Sequence, residues 1–252
     1  ITHMLHIPAA DLIEVFSSLQ GEGELLGRRQ VFIRFAGCNL DCDYCDTSFL
    51  SKSMCLVEED SGSGALVEYE NPVPLEQIIN LLKHWLKTTP GAHHSISITG
   101  GEPLLHAELL ELWLPHLRRL LPISLETNGT LPAALRLLVR HLDYVAMDIK
   151  LPSVTGQVTN WQAHADFLAV AIQTRCSVKM IVDDRTTDNE LIRAAQLVHD
   201  LSAATPIILQ PVTRHNKVAV SVRRLLALQA LVSAIHPETF VVPQTHIFMG
   251  VR

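Results

Sequence analysis

No stretch of this chain reaches the ~18 uninterrupted apolar residues that a membrane-spanning helix needs. No basic excess is present either. The formal net charge is −6, which argues against a general nucleic-acid binder. The N-terminus lacks a basic region followed by an apolar run, so no secretory signal is expected. The opening Ile-Thr-His-Met reads as a cloning remnant ahead of a native Met4. Charge is scarce at 18% against 48% hydrophobic residues, which excludes wholesale disorder and supplies a sizeable core. A disulfide framework is missing too. There are five cysteines, an odd number, and three of them crowd into residues 38–45. That pattern points to a reducing cytosol and a metal or redox site.

What is present is a rhythm. Apolar runs of strand length fall at 30–35, 95–99, 123–126, 144–150, 177–182, 206–210 and 239–243. Amphipathic runs separate them at 74–87, roughly 104–120, 132–140, 160–174, 188–203 and 218–235. In the first of these, Leu75, Ile78, Ile79, Leu82 and Leu86 recur at helical spacing between Pro74 and Pro90-Gly91. Six strand–helix units in one order imply a parallel sheet with right-handed crossovers. Six is two short of a closed eight-fold barrel, so a partial, open barrel is expected, with a doubly wound open sheet as the alternative. No internal boundary is visible, and residues 4–252 read as one domain. The polar segment 51–72 breaks the rhythm. It reads as an insertion, a hairpin turning at Ser61-Gly62-Ser63-Gly64.

Ligands of parallel α/β folds sit at the C-terminal ends of the strands. Here those ends are rich in reactive groups. They are the cysteine loop, Thr-Gly-Gly-Glu-Pro (99–103), Glu-Thr-Asn-Gly (126–129), Met-Asp-Ile-Lys (147–150), Lys179 with Asp183-Asp184, and Gln210-Pro211. Any one of them also suits a helix cap or turn, and Asn128 and Asp183 stand evenly between the two roles. Glu126 and Lys150 favour function, because each ends a strand that should be covered on both faces.

Cys38, Cys42 and Cys45 form C-x3-C-x2-C. Three thiolates this close suit a cubic iron–sulfur cluster whose fourth iron is left for a small molecule. Zinc would need a fourth ligand and usually a second C-x2-C arm, and only one arm is present. This spacing, with Tyr44 before the third cysteine, resembles the radical S-adenosylmethionine superfamily, and Thr-Gly-Gly-Glu-Pro resembles its second motif. The resemblance implies a partial (β/α)6 radical SAM barrel with a short insertion after the cluster loop. It implies a [4Fe-4S] cluster on Cys38, Cys42 and Cys45, with S-adenosylmethionine chelating the fourth iron and yielding a 5′-deoxyadenosyl radical. By the same resemblance Tyr44, Gly100, Gly101, Glu102, Asp148, Lys150 and Gln210 bind S-adenosylmethionine. The two glycines would let backbone approach its methionine amino group, and Glu102 would accept that group's hydrogen bond.

Residues 16–47, together with 99–103, 126–129, 210–211 and Pro-Gln-Thr-His (243–246), are very similar to the 7-carboxy-7-deazaguanine synthase family. That similarity implies ring contraction of 6-carboxy-5,6,7,8-tetrahydropterin to 7-carboxy-7-deazaguanine with loss of ammonia, a step toward queuosine and related 7-deazapurines. It implies that Leu19, Gln20, Gly21 and Glu22 read the pterin, an amide and a carboxylate suiting an aminopyrimidinone edge. Arg28 would face the substrate carboxylate, with Arg29 left to solvent. Thr99, Glu126 and His246 would touch substrate, and Thr47 would hold Mg2+. An electron donor such as flavodoxin or ferredoxin, a homodimer and a cytoplasmic location are implied as well. The family can also use its C-terminal carboxylate, here that of Arg252, on substrate. Two departures stand out. Asp148-Ile149 replaces the family's frequent Ser-Pro before Lys150, and 51–72 follows Thr47 as a lid, a docking loop, a dimer contact or ornament. The competing readings are an activase of a glycyl-radical partner, which shares the cysteine motif, and a zinc-stabilised binding module.

Overall fold

Period-two alternation organises this molecule more than helical periodicity does. In the computed structural model, which describes residues 7–43, 45 and 49–252, the strands place apolar side chains on one face. Ile96 and Ile98, Ile123 and Leu125, Val145 and Met147, and Val178 and Met180 all enter the core. The residues between them, Ser97, Ser124, Ala146 and Lys179, are small or polar and point the other way. Parallel strands covered on both faces usually read as unbroken apolar runs. These do not, because their second face lines a cavity rather than a core.

The chain opens with β1 (Leu12–Leu19), β2 (Arg29–Phe35), β3 (Met54–Glu58) and β4 (Leu66–Glu70). Then follow α1 (Leu75–Thr88), β5 (Ser95–Gly100), α2 (Ala107–Leu117), β6 (Ile123–Thr127), α3 (Pro132–Leu138) and β7 (Tyr144–Asp148). The second half carries the short α4 (Pro152–Thr155), α5 (Trp161–Ala171), β8 (Arg175–Val182), α6 (Asp188–Leu201) and β9 (Ile207–Pro211). It closes with the ribbon β10 (Thr213–Arg214) and β11 (Lys217–Val218), α7 (Val222–Ser233), β12 (Thr239–Val241) and α8 (Thr245–Met249). One sheet runs β12-β9-β8-β7-β6-β5-β2-β1-β3-β4. From β2 to β12 every pairing is parallel, the expected succession of strand–helix units.

Local chemistry explains the element ends. Pro74 precedes the first turn of α1, where no N–H is needed. A capping box between Thr187 and Glu190 starts α6. In α1 the buried stripe is Leu75, Ile78, Leu81, Leu82 and Trp85. Ile79 and Leu86 are half-buried at its margin, so the core face is turned slightly from the expected one.

The 51–72 segment is the expected hairpin, and it is more than an appendage. β3 pairs parallel with β1, so the hairpin extends the main sheet by two strands, and Cys55 and Val57 enter the core. The buried Glu58 carboxylate accepts from the backbone N–H groups of Ser17, at 2.9 Å, and Gly64, at 2.8 Å. The Trp85 indole donates to the Glu59 carbonyl. None of residues 51–72 lines the central cavity, so the hairpin is no lid over it. Glu58→Ala strands two backbone donors and is expected to cost about 2 kcal/mol of stability in urea unfolding. A change below about 0.5 kcal/mol would mean that the hairpin is ornament after all.

Candidate active site

The polar faces of the parallel strands converge on a lumen of about 380 Å3, within the size range of small-molecule sites. Two loops supply its most reactive groups. The cysteine loop follows β2 at the C-terminal strand ends. The loop 20–28 joins β1 to β2 at the other end and reaches across to β8 and the C-terminal segment. There Thr245 donates its backbone N–H to Gly21 O at 2.9 Å, and the Glu22 carboxylate meets Lys179 at 2.5 Å and Gln244 at 2.9 Å.

The cysteine loop is clasped from several sides. Glu102 N–H donates to Gly37 O at 2.9 Å. Asn128 donates through Nδ2 to Asn39 Oδ1 at 2.8 Å, and Asp43 N–H reaches Thr155 O. The His106 ring contacts Ala36 O at 2.8 Å. Cys38, Cys42 and Cys45 all line the lumen, and no disulfide joins any cysteine. Burial raises the Cys38 and Cys42 thiols, while the nearby Lys150 ammonium pulls both back. Among the described residues no three His, Cys, Asp or Glu side chains are grouped as a single-ion site. The donor set fits a thiolate-held cluster: three soft ligands face one cavity, and a cation stands beside them.

The two glycines after β5 have a structural cause. A Cβ on Gly101 would lie 2.2 Å from Gly37 O and 2.7 Å from Cys38 Cβ, and one on Gly100, at φ +146°, would lie 2.3 Å from Phe35 O. Both glycines line the lumen, but the backbone they admit so closely is the chain's own.

Glu102 departs from expectation. It is fully buried, does not line the lumen, and is surrounded by donors. It accepts from Leu104 N–H at 3.0 Å, Asn128 N–H at 2.7 Å and the Thr127 hydroxyl at 2.9 and 3.0 Å. It clasps the end of β6 to the end of β5 rather than meeting a ligand. Burial pushes its carboxyl up to about 7, these hydrogen bonds and Lys150 pulling the other way. Below its ordinary value of 4.5 both folded and unfolded chains are protonated there. Between 4.5 and about 7 only the folded chain keeps the proton, so stability falls as pH rises through that window, by on the order of 3 kcal/mol. Urea unfolding across pH 4.5–8 should show this fall, and Glu102→Gln should remove it. An equal slope in the variant would contradict the assignment. Glu22 acts in a separate window with the opposite sign. Its stabilising contribution is present above 4.5 and lost as pH falls toward about 2.

Most other expected residues do meet in the lumen. Leu19, Gln20, Gly21, Glu22, Thr99, Glu126 and His246 line it, as do Asp148, Lys150 and Gln210. Glu126 is a hub that accepts from Gln20 Nε2 at 2.7 Å, Ser97 Oγ at 2.9 Å and Thr99 Oγ1 at 3.0 Å. Gly21 is required because a Cβ there would strike the His246 ring at 2.2 Å. Lys150 pairs with Asp148 at 2.7 Å. The Gln210 Oε1 and Thr213 Oγ1 atoms are buried in the wall without a partner, as acceptors and donors kept for a ligand would be.

Arg28 is not brought in. It is exposed at the end of the 20–28 loop and does not line the lumen. Arg29, expected in solvent, is half-buried and donates to Ser17 Oγ and Ser61 Oγ, because the inserted hairpin covers it. Asp183 is a turn former that takes Arg185 N–H and Nε. Tyr44 and Thr47 lie outside the described residues. The sequence assigns no individual role to several lumen residues, among them Phe16, Phe32, Arg34, Tyr144 and Thr213, and marks Lys179 only as a strand-end group. Strand alternation could have found most of them, since Phe32 and Arg34, Tyr144 and Asp148, and Ser177 and Lys179 share the parity of their strands' lumen faces. The C-terminal Arg252 also lines the lumen. It pairs through its guanidinium with Glu14 at 2.8 Å and lies over the Phe16 ring.

Residues 32–202, well over half of the chain, match the family model of the radical SAM superfamily. The chain therefore belongs to that superfamily, whose membership implies a [4Fe-4S] cluster and S-adenosylmethionine. Its relatives narrow this. It is 46% identical over 245 residues to the 7-carboxy-7-deazaguanine synthase of Geobacter sulfurreducens, covering 96% of this chain and 98% of that one. It is 32% identical over 265 residues to the enzyme of that name from Methanothermobacter thermautotrophicus, covering 96% and 98%. Within the superfamily, the chain is a member of the 7-carboxy-7-deazaguanine synthase family. The crystal structure of QueE from Escherichia coli shares the fold, with a TM-score of 0.60 at 21% identity over 94% of this chain and 95% of that one. No helix among the described residues is long and apolar enough to cross a membrane.

Proposed function

We propose that this chain, as a single domain over 4–252, converts 6-carboxy-5,6,7,8-tetrahydropterin into 7-carboxy-7-deazaguanine, with release of ammonia. The observation that carries this reading is that one lumen holds both the cysteine loop and the set Gln20, Glu22 and Glu126. When bound, the cluster on Cys38, Cys42 and Cys45 together with S-adenosylmethionine supplies a 5′-deoxyadenosyl radical. The rest of the work falls to the chain's own residues. Glu22 and Glu126 offer carboxylate acceptors for the N–H donors of the pterin ring. Gln20 holds Glu126 in place from the neighbouring loop. Asp148, Lys150 and Gln210 form the wall suited to S-adenosylmethionine, with the Gln210 carbonyl oxygen as its unsatisfied acceptor. Gly21 and His246 pack the C-terminal segment against the pterin loop and help to keep water out. Mg2+ on the Thr47 hydroxyl, a flavodoxin or ferredoxin as electron donor, a homodimer and a cytoplasmic location complete the reading, and sequence resemblance alone supports these four.

The substrate assignment is tested by equilibrium titration of the anaerobically reconstituted protein with 6-carboxypterin, the fluorescent oxidised analogue. Saturable binding is expected, weakened by at least about tenfold in Glu126→Ala, which loses a charged acceptor. No binding to the unaltered protein would refute the pterin reading.

A further inference from the structure

Lys179 is a strand-end lysine to which the sequence assigns no role, and among the described lumen residues its surroundings are unusual. It sits on β8, side chain largely buried, with Nζ 2.5 Å from Glu22 Oε2 and 3.4 Å from Asp148 Oδ1. Asp148 in turn holds Lys150 at 2.7 Å, and Glu22 Oε1 accepts from Gln244 at 2.9 Å. The result is one connected row, Gln244–Glu22–Lys179–Asp148–Lys150, running from the C-terminal segment to the strand end beside the cysteines. Glu22 is carried on a loop, where a long carboxylate side chain has several rotamers to choose from. Lys179 is carried on a central strand whose backbone is fixed by both neighbours.

We propose that Lys179 is a positioning residue for substrate recognition: it fixes Glu22 in one rotamer, as an anion, so that the remaining lone pairs of Glu22 read adjacent N–H donors on the pterin ring. The inference rests on the pterin reading of this lumen. An ionised carboxylate has about four acceptor sites, and Lys179 and Gln244 occupy two. A protonated one would present a donor and repel the donor edge of an aminopyrimidinone. Burial alone would raise the Glu22 carboxyl, but the Lys179 charge and hydrogen bond outweigh it and bring it down to about 2. The same contacts with Asp148 and Glu22 outweigh burial at Lys179 and keep it cationic. The groups that face Glu22 are Lys179 on β8, Gln244 and His246 beyond β12, Asp148 at the end of β7 and Lys150 just after it, both behind Lys179, and Gln20 in its own loop. Of these, Lys179 makes the direct ion pair.

The test is 6-carboxypterin affinity against pH in the reconstituted protein, with every variant compared to the unaltered chain so that ionisation of the probe cancels. Lys179→Met, of similar length, is expected to bind about tenfold more weakly at pH 8, and about a further tenfold as pH falls to 6 and the buried Glu22 takes up a proton. Lys179→Arg keeps the charge and should stay within about threefold of the unaltered chain at both pH values. Glu22→Gln, which neutralises the acceptor and leaves Lys179 in place, should reproduce the loss without its pH dependence, and Lys179→Gln, read in the same way, serves if Lys179→Met fails to fold. An unchanged affinity and pH profile in Lys179→Met, or equal pH-independent losses in the Met and Arg variants, would overturn the proposal while the pterin reading stands. An unaltered protein that does not bind the probe would overturn both.

Discussion

Cys42→Ala abolishes reductive cleavage of S-adenosylmethionine, leaving 5′-deoxyadenosine at the level of iron-free protein. It also lowers bound iron after reconstitution, because two thiolates hold a cubic cluster poorly. The fold should survive. Cys42 is only half-buried, and the loop around it is clasped by Asn128, Thr155, Glu102 and His106 rather than by cysteine packing. The melting temperature of the iron-free variant should therefore lie within about 3 °C of its iron-free parent. Undiminished cleavage would remove the cluster from these residues.

The second large effect is expected at Gly101. The alanine Cβ would stand 2.2 Å from Gly37 O and 2.7 Å from Cys38 Cβ, and neither is the end of a flexible side chain. The strand end and the cysteine loop must separate, which endangers the adjacent bond from Glu102 N–H to Gly37 O. Gly101→Ala should cost about 1–3 kcal/mol of stability and lower iron incorporation by at least about tenfold. Gly91→Ala is the control. Gly91 has φ +73° with nothing within 4 Å of a new Cβ, so it carries conformational strain alone, about 1 kcal/mol, and should leave iron uptake unchanged. Equal effects at the two positions would mean that crowding against the cysteine loop is not what Gly101 relieves.

Comparison of sequence with structure turns on what alternation can convey. The seven parallel strands and six helical connections were legible because each unit carries its own periodicity, and the inserted hairpin because Ser-Gly-Ser-Gly marks its turn. The lumen was partly legible. Ser-Ile-Ser-Ile-Thr and Ile-Ser-Leu-Glu alternate polar with apolar where a doubly covered parallel strand should not, and the polar phase leads into the site. The same reading extended to β8 points at Lys179. Other features depend on long-range packing. Glu102 stands in a motif shared by many ligand sites, yet it takes the Thr127 hydroxyl at the end of β6 and the Asn128 N–H just beyond it, contacts that no local pattern reveals. Arg29 is half-buried where solvent exposure was expected because an insertion some 30 residues later in the chain lies over it. Gln210 and Glu126 are deep in the lumen for the simplest reason: each continues the lumen-facing parity of its strand.

The most direct test of the account is anaerobic turnover. The reconstituted, reduced protein would receive S-adenosylmethionine, Mg2+ and 6-carboxy-5,6,7,8-tetrahydropterin, with mass spectrometry following the products. The account predicts 7-carboxy-7-deazaguanine, absent when Cys42→Ala replaces the unaltered chain. Formation of 5′-deoxyadenosine with no deazaguanine, from protein with its full complement of iron, would contradict it and would place the error in the substrate-facing half of the lumen.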